Sequence, residues 1–337
     1  MKKYIFSIVM LYIFFTLSGC NLSNNEMSSH DPYLSISYTA YDDGLGPENG
    51  MTSSLLCYDI NSKELTNVYQ FSYTSQYPLG CLDMGNNDAY FTAESKTREN
   101  CDELFVCNLQ TNEVRQLTDT FFAINYVLPS KNDIFIAAVK RKTLAIRPVM
   151  FDKRRDTLVY GNLEDDDTCI EFMSLSANGN GDIYASTYSN ASRYEASERQ
   201  NELGYWPIPD YSVVKFTGGD LAHPETIFVA QSHMVMSVSS NAQFILTKEI
   251  DDFSANTYKA YIYDIKNGVK TEIELVGAQT FGTLLLAPDG NGAYFIGTLK
   301  SDSEQRGVYF YDFSTELIST IALQETEGFI NNMALIP

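Results

Sequence analysis

The sequence predicts an all-β fold: six similar sheets arranged in a ring, closed where the tail of the chain meets its head. Three observations predict it. A strand pattern led by an aromatic residue recurs about every 50 residues, a second strand pattern follows most copies of it, and the last segment resembles the opening strands of other copies. Short strands at even spacing with turn signals between them read as sheets, whereas few stretches show sustained helical spacing.

The first pattern is a turn, an acidic or small residue, a spacer and an aromatic that opens a strand. It reads Asp31-Pro-Tyr33, Asp88-Ala-Tyr90, Asp133-Ile-Phe135, Asp182-Ile-Tyr184, Ala242-Gln-Phe244 and Gly292-Ala-Tyr294. The aromatics stand 57, 45, 49, 60 and 50 residues apart. Gly, Asn and Asp crowd the segments before the later five, as in Asn178-Gly-Asn-Gly181, where they supply positive φ or local hydrogen bonds. The second pattern is a strand ending in an aromatic or Cys, then Asp or Asn, then a turn: Leu55–Asp59, Leu104–Asn108, Pro148–Asp152, Tyr261–Asp264 and Val308–Asp312. The fourth copy is degraded, ending Phe216-Thr-Gly-Gly219. Aromatic and β-branched residues suit a pleated surface, and repetition near 50 residues marks four-stranded propeller blades. Residues 329–337 match the first-strand segments 122–129 and 281–288, so they are expected to supply the missing innermost strand of blade one. Such closure hides a sheet edge. Residues 31–337 thus read as a six-bladed β-propeller.

The run Pro288-Asp-Gly-Asn-Gly-Ala-Tyr-Phe-Ile, followed by Val308-Tyr-Phe-Tyr-Asp-Phe-Ser-Thr, resembles the blade consensus of TolB-like propellers. Tyr90-Phe-Thr-Ala93 is similar to the Tyr-Trp-Thr-Asp strand of related six-bladed receptor propellers, with Ala93 in place of Asp. The resemblance implies a scaffold that binds proteins or small ligands, and in some members an enzyme; architecture by itself does not choose between them.

At the other end, Lys2 and Lys3 precede an uncharged run from Tyr4 to Leu17, then Leu17-Ser-Gly-Cys20. The run is shorter than the roughly 20 residues of a spanning helix and fits a secretory leader. Leu-Ser-Gly-Cys resembles the lipobox of bacterial lipoproteins. That resemblance implies a signal peptide over residues 1–19 and lipid on Cys20, anchoring the protein to the extracytoplasmic face of a cytoplasmic or outer membrane. Residues 20–30 are polar and aperiodic, as expected of a flexible tether.

The chain has 337 residues with 43 acidic and 23 basic side chains, a net charge of −20. This balance opposes nonspecific nucleic-acid binding, which needs a positive surface. Three histidines leave little room for a multi-histidine metal site, and no cofactor is implied. No Gly-x-Ser-x-Gly elbow, phosphate loop, His-Glu-x-x-His helix or sialidase-type Asp-box occurs. Five cysteines follow Cys20, an odd and sparse set that reads as unpaired thiols or as one bridge involving Cys101. The acidic run Glu164–Asp167 lacks the alternation and glycine of a calcium loop and reads as a solvated connection. Asn125 and Asn332 lie on expected innermost strands, where a lactonase-like calcium site would need carboxylates beside them. Seven basic residues between Lys140 and Arg155 form an island, read either as a solvated hairpin face or as a contact for anionic lipid, polymer or an acidic partner.

The longest departure from the repeat is Asn190–Asp210, with helical spacing over Ser192–Leu203 and then Gly204-Tyr-Trp-Pro-Ile-Pro209. Long loops on rigid scaffolds carry function, and Tyr and Trp are favoured anchors. Tyr205 and Trp206 are the candidate ligand-binding residues. The expected function is a noncatalytic binding or scaffold module for a protein, polymer or small ligand. The alternative is a propeller enzyme, a lactonase-like hydrolase or polysaccharide lyase.

Overall fold

The computed structural model describes residues 31–42, 50–72, 78–99, 101–130, 132–141, 145–161, 167–171, 173–199, 209–230, 233–250, 258–325 and 328–337. They form six antiparallel sheets. Blade one holds β1 (Tyr33–Tyr41), β2 (Met51–Asp59) and β3 (Leu65–Ser72). Blade two holds β4 (Gly80–Asp83), β5 (Asp88–Glu94), β6 (Asp102–Asn108) and β7 (Val114–Gln116). Blade three holds β8 (Phe121–Pro129), β9 (Asp133–Lys140), β10 (Ile146–Asp152) and β11 (Thr157–Tyr160). In blade four the inner strand is split into β12 (Thr168–Ile170) and β13 (Ser176–Ala177), followed by β14 (Ile183–Ser189), β15 (Tyr211–Phe216) and β16 (Glu225–Ala230). Blade five holds β17 (His233–Val238), β18 (Phe244–Ile250), β19 (Lys259–Asp264) and β20 (Val269–Ile273). Blade six holds β21 (Ala278–Leu286), β22 (Gly292–Leu299), β23 (Asp302–Asp312) and β24 (Ile318–Leu323).

The final strand, β25 (Gly328–Ile336), pairs antiparallel with β1, so blade one reads β25-β1-β2-β3 and joins both ends of the chain. The predicted closure holds, one residue earlier than expected. Asn331 reinforces it: its Oδ1 accepts from Thr39 Oγ1 at 3.0 Å and its Nδ2 donates to the Pro78 carbonyl at 2.7 Å, tying blade one to the entry of blade two.

Each aromatic of the first pattern falls on the second strand from the axis, and each second-pattern segment falls on the third. The acidic residue that ends the third strand has a local cause. Asp59 Oδ1 accepts from the N–H groups of Asn61 and Ser62, Asn108 Oδ1 from Gln110 and Thr111, Asp152 Oδ1 from Arg154 and Arg155, and Asp312 Oδ1 from Ser314 and Thr315. Side chains of this type cap a turn through their own backbone neighbours. The fourth residue on takes positive φ in five blades: Lys63, Asn112, Asp156, Gly268 and Glu316. Blade four has Phe216 where the cap belongs. There Asp182, from the neighbouring strand, accepts the Gly218 N–H at 3.0 Å instead. Gly219 (φ 78°) also passes so close to blade three that a Cβ would stand 2.5 Å from the Phe135 ring.

Apolar clusters fill the gaps between neighbouring blades, for example Tyr33, Leu55, Phe71, Phe91 and Phe105 between blades one and two. Hydroxyls pin inner strands across the same gaps. Ser35 Oγ accepts the Leu82 N–H at 2.9 Å, Ser176 Oγ the Val238 N–H at 3.0 Å, and Ser237 Oγ the Leu286 N–H at 2.6 Å. The ring has two faces. The turn face carries the short turns between first and second and between third and fourth strands, with Asp31 and Pro337. The loop face carries the second-to-third connections and the crossovers between blades.

Candidate functional site

Around the axis, inner-strand side chains meet one another. Tyr126 Oη donates to the Met333 carbonyl at 3.2 Å, joining blades three and one. Thr283 Oγ1 lies 3.0 Å from Met173 Sδ and 3.3 Å from Asn332 Oδ1, joining blades six, four and one. These four side chains are buried. The layer is therefore phenol, thioether, hydroxyl and amide. Asn332 turns its oxygen to Thr283 and to the Met333 N–H, while Asn125 is half-buried on β8. Among the described residues, no three His, Cys, Asp or Glu side chains converge as a metal would require.

The insertion leaves the loop face from the end of β14. Its helix α1 (Asn190–Glu198) begins two residues before the predicted spacing, because its start is held from outside. Ser189 Oγ caps the Ser192 N–H, and the carboxylate of Asp167 accepts from Ser189 Oγ and from the Ala191 N–H. Asp167, the last residue of the acidic run, thus fastens the insertion; the other residues of that run, 164–166, lie outside the described residues.

Beneath α1 sits a buried polar group made by blade four. Tyr188 stands next to the end of β14 and Tyr211 opens β15, their ring centroids 5.2 Å apart. Arg193 reaches back from α1, donating to Tyr188 Oη at 2.6 Å with its guanidinium 5.0 Å from the ring centre. Glu171, 4% exposed, follows β12 and engages Tyr211. Burial pushes the Tyr188 phenol up to about 12, and burial together with the Glu171 charge pushes Tyr211 higher still. Burial pulls Arg193 down, but Tyr188, Tyr211 and Glu171 more than offset it and leave its pKa above the usual value. Both phenols stay protonated and the arginine stays charged, an arrangement that donates hydrogen bonds and holds the insertion on the rim.

Tyr205 and Trp206, the predicted ligand contacts, lie outside the described residues, as does Cys20. Glu171, Tyr188, Arg193 and Tyr211 were not singled out from the sequence; the signal available was that Tyr188 and Tyr211 bracket the insertion. The basic island divides. Lys140, Arg141 and Arg147 lie at the loop-face end of the β9–β10 hairpin, and Lys153, Arg154 and Arg155 at the turn-face end of β10. The seven residues of β10 separate them by about 23 Å. Lys140 packs over the Tyr160 ring, Arg141 donates to the Phe121 carbonyl, and Lys153 pairs with Asp83 at 2.9 Å. The five described cysteines are buried thiols, Cys101 among them.

No known family description matches the chain, and no curated protein does. Solved structures do. TolB from Acinetobacter baumannii superposes with a TM-score of 0.57 at 10% identity, covering 91% of this chain and 67% of that one. The β-propeller domain of the trilobed protease from Pyrococcus furiosus, which has an open velcro topology, gives 0.51 at 12% identity, covering 87% and 85%. Oligogalacturonate lyase from Vibrio parahaemolyticus gives 0.50 at 11% identity, covering 88% and 75%. The neighbours include TolB-like propellers, and at these identities the likeness shows the fold: this chain is a six-bladed β-propeller.

Proposed function

We propose that this chain is a lipid-anchored, extracytoplasmic binding module, held to a bacterial membrane through Cys20 and presenting the blade-four rim of its loop face to a protein, polymer or small ligand. The observation that most supports binding over catalysis is the axial layer. Thr283 bonds Met173 and Asn332, and Tyr126 bonds the Met333 carbonyl, so among the described residues this layer is built of neutral groups, whereas general acid–base or metal-assisted chemistry converges charged ones on an open centre. The rim is different. There a phenol pair, an arginine and a fastened helix carry the longest insertion, on the face that takes the crossovers between blades. A rigid scaffold with one elaborated loop is a common recognition arrangement.

Replacing Cys20 with Ser is expected to move the protein from the membrane fraction to the soluble one; continued membrane retention refutes the anchor. Replacing residues 190–210 by a short turn is expected to abolish capture of the native partner from envelope extracts while the propeller still folds. Unchanged capture refutes the rim as the site. Turnover of uronate oligomers or lactones by the purified protein favours the enzyme alternative, suggested by the lyase neighbour.

A further inference from the structure

Near the turn face, one side of the blade-two sheet presents its polar residues in rows. The register sets Asp88 opposite Asn108 and Tyr90 opposite Val106, with Arg115 opposite Val106 on its other flank. The Asn108 N–H donates to the Glu113 carbonyl at 3.0 Å, which extends the first row to Glu113. Asp88, Asn108 and Glu113 therefore form an upper row, and Tyr90, Val106 and Arg115 the row beneath it. Leu117, two residues past Arg115, lies on the same side and lower still. Blade three faces these rows with Lys153 and with Phe151, the register partner of Ile134. Together they line a groove of about 320 Å³ between the two blades, within the size range of small-molecule sites.

Two cations of the groove are tied across the blades. Lys153 Nζ pairs with Asp83 at 2.9 Å and lies 5.5 Å from the centre of the Tyr90 ring, while Arg115 pairs with Asp156 at 2.7 Å. An ammonium has three donors and a guanidinium five, so each tie leaves N–H groups for a guest. The upper-row carboxylates also have room. Asp88 accepts from two neutral donors, Tyr90 Oη at 3.2 Å and Asn108 Nδ2 at 3.3 Å, and Glu113 is exposed. Among the described residues neither carboxylate forms an ion pair. The groove thus carries negative charge at its turn-face end, cations one row down, and an apolar floor of Val106, Leu117, Ile134 and Phe151. Alternate residues of a strand stand about 7 Å apart, and two extended residues also span about 7 Å.

We propose that the groove between blades two and three binds a short apolar peptide with free termini, a dipeptide at its simplest. Its ammonium meets the row of Asp88 and Glu113, its carboxylate the donors of Arg115 and Lys153, and its side chains the apolar floor. The groove lies on the turn face, apart from the rim of blade four, and the proposal does not rest on that reading. The test is calorimetric titration of the purified full chain with leucyl-leucine, its N-acetyl form and its amide. The free dipeptide is expected to bind saturably, and each blocked form about tenfold more weakly or worse, as the loss of a charge-assisted hydrogen bond implies. Asp88→Asn is expected to weaken the free dipeptide and the amide while sparing the N-acetyl form. Arg115→Gln is expected to weaken the free dipeptide and the N-acetyl form while sparing the amide. Glu113→Gln, at an exposed residue, reads the upper row by the same pattern if Asp88→Asn does not fold. No saturable binding by the wild type, equal affinity for the three probes, variants that weaken all three alike, or galactose binding as tightly as the dipeptide overturns the assignment.

Discussion

Chains ending at residue 327 are expected to lose cooperative unfolding. Without β25 the inner edge of β1 is bare from Tyr33 to Ala40, and Ile330 and Met333 no longer fill the gap beside Leu34 and Ile36. Burying a large apolar side chain is worth about 2 kcal/mol, so Ile330 and Met333 alone account for about 4 kcal/mol. The Asn331 bonds to Thr39 and Pro78 and the Met333 carbonyl used by Tyr126 are lost as well. A typical domain has a margin of about 5–15 kcal/mol, so the deletion removes much or all of it. Thermal melts followed by circular dichroism should broaden and fall, and amide exchange in β1 should become fast. A truncated protein melting within a few degrees of the full chain, with β1 still protected, would show that the ring does not depend on its tail.

The second large effect concerns Lys248, a buried residue of β18. Its pKa in the fold, about 8, lies below the unfolded value near 10.4. Between these values the unfolded chain holds more protons than the folded one, so stability rises with pH across that window. Below pH 8 both states are charged and the burial penalty is present in full. A shift of this size corresponds to about 3 kcal/mol. Lys248→Met, which keeps an unbranched apolar side chain one atom shorter and removes the charge, is expected to stabilise the protein by about that amount at pH 7. It should also abolish the rise between pH 8 and 10.5 in urea-unfolding free energies. A variant no more stable than wild type at pH 7 would contradict the account.

The repeat was legible because its signals are local. Tyr90, Phe135 and Tyr294 open strands next to turns their own neighbours form, and Asp59, Asp152 and Asp312 end strands by capping the residues immediately after them. The tail could be matched because it repeats a pattern found elsewhere in the chain. What stayed hidden depends on distance through the fold. Asp167 fastens a helix that starts 23 residues later, which no spacing rule signals. Glu171 meets Tyr211, and Lys153 meets Asp83, through the stacking of strands and sheets rather than the order of residues. The basic island was misleading for the converse reason: neighbours in sequence were carried to opposite ends of one strand.

The chain enters β1 and leaves β25 on the turn face, whereas α1 rises from the other. A lipid on Cys20 would therefore act as a stalk fixed to the underside of the disc. Ten residues between Cys20 and Asp31 extend to at most about 35 Å. So short a leash would keep the disc close to the bilayer while the helix side looks outward, available to molecules arriving from the far side and awkward for anything embedded in the same leaflet.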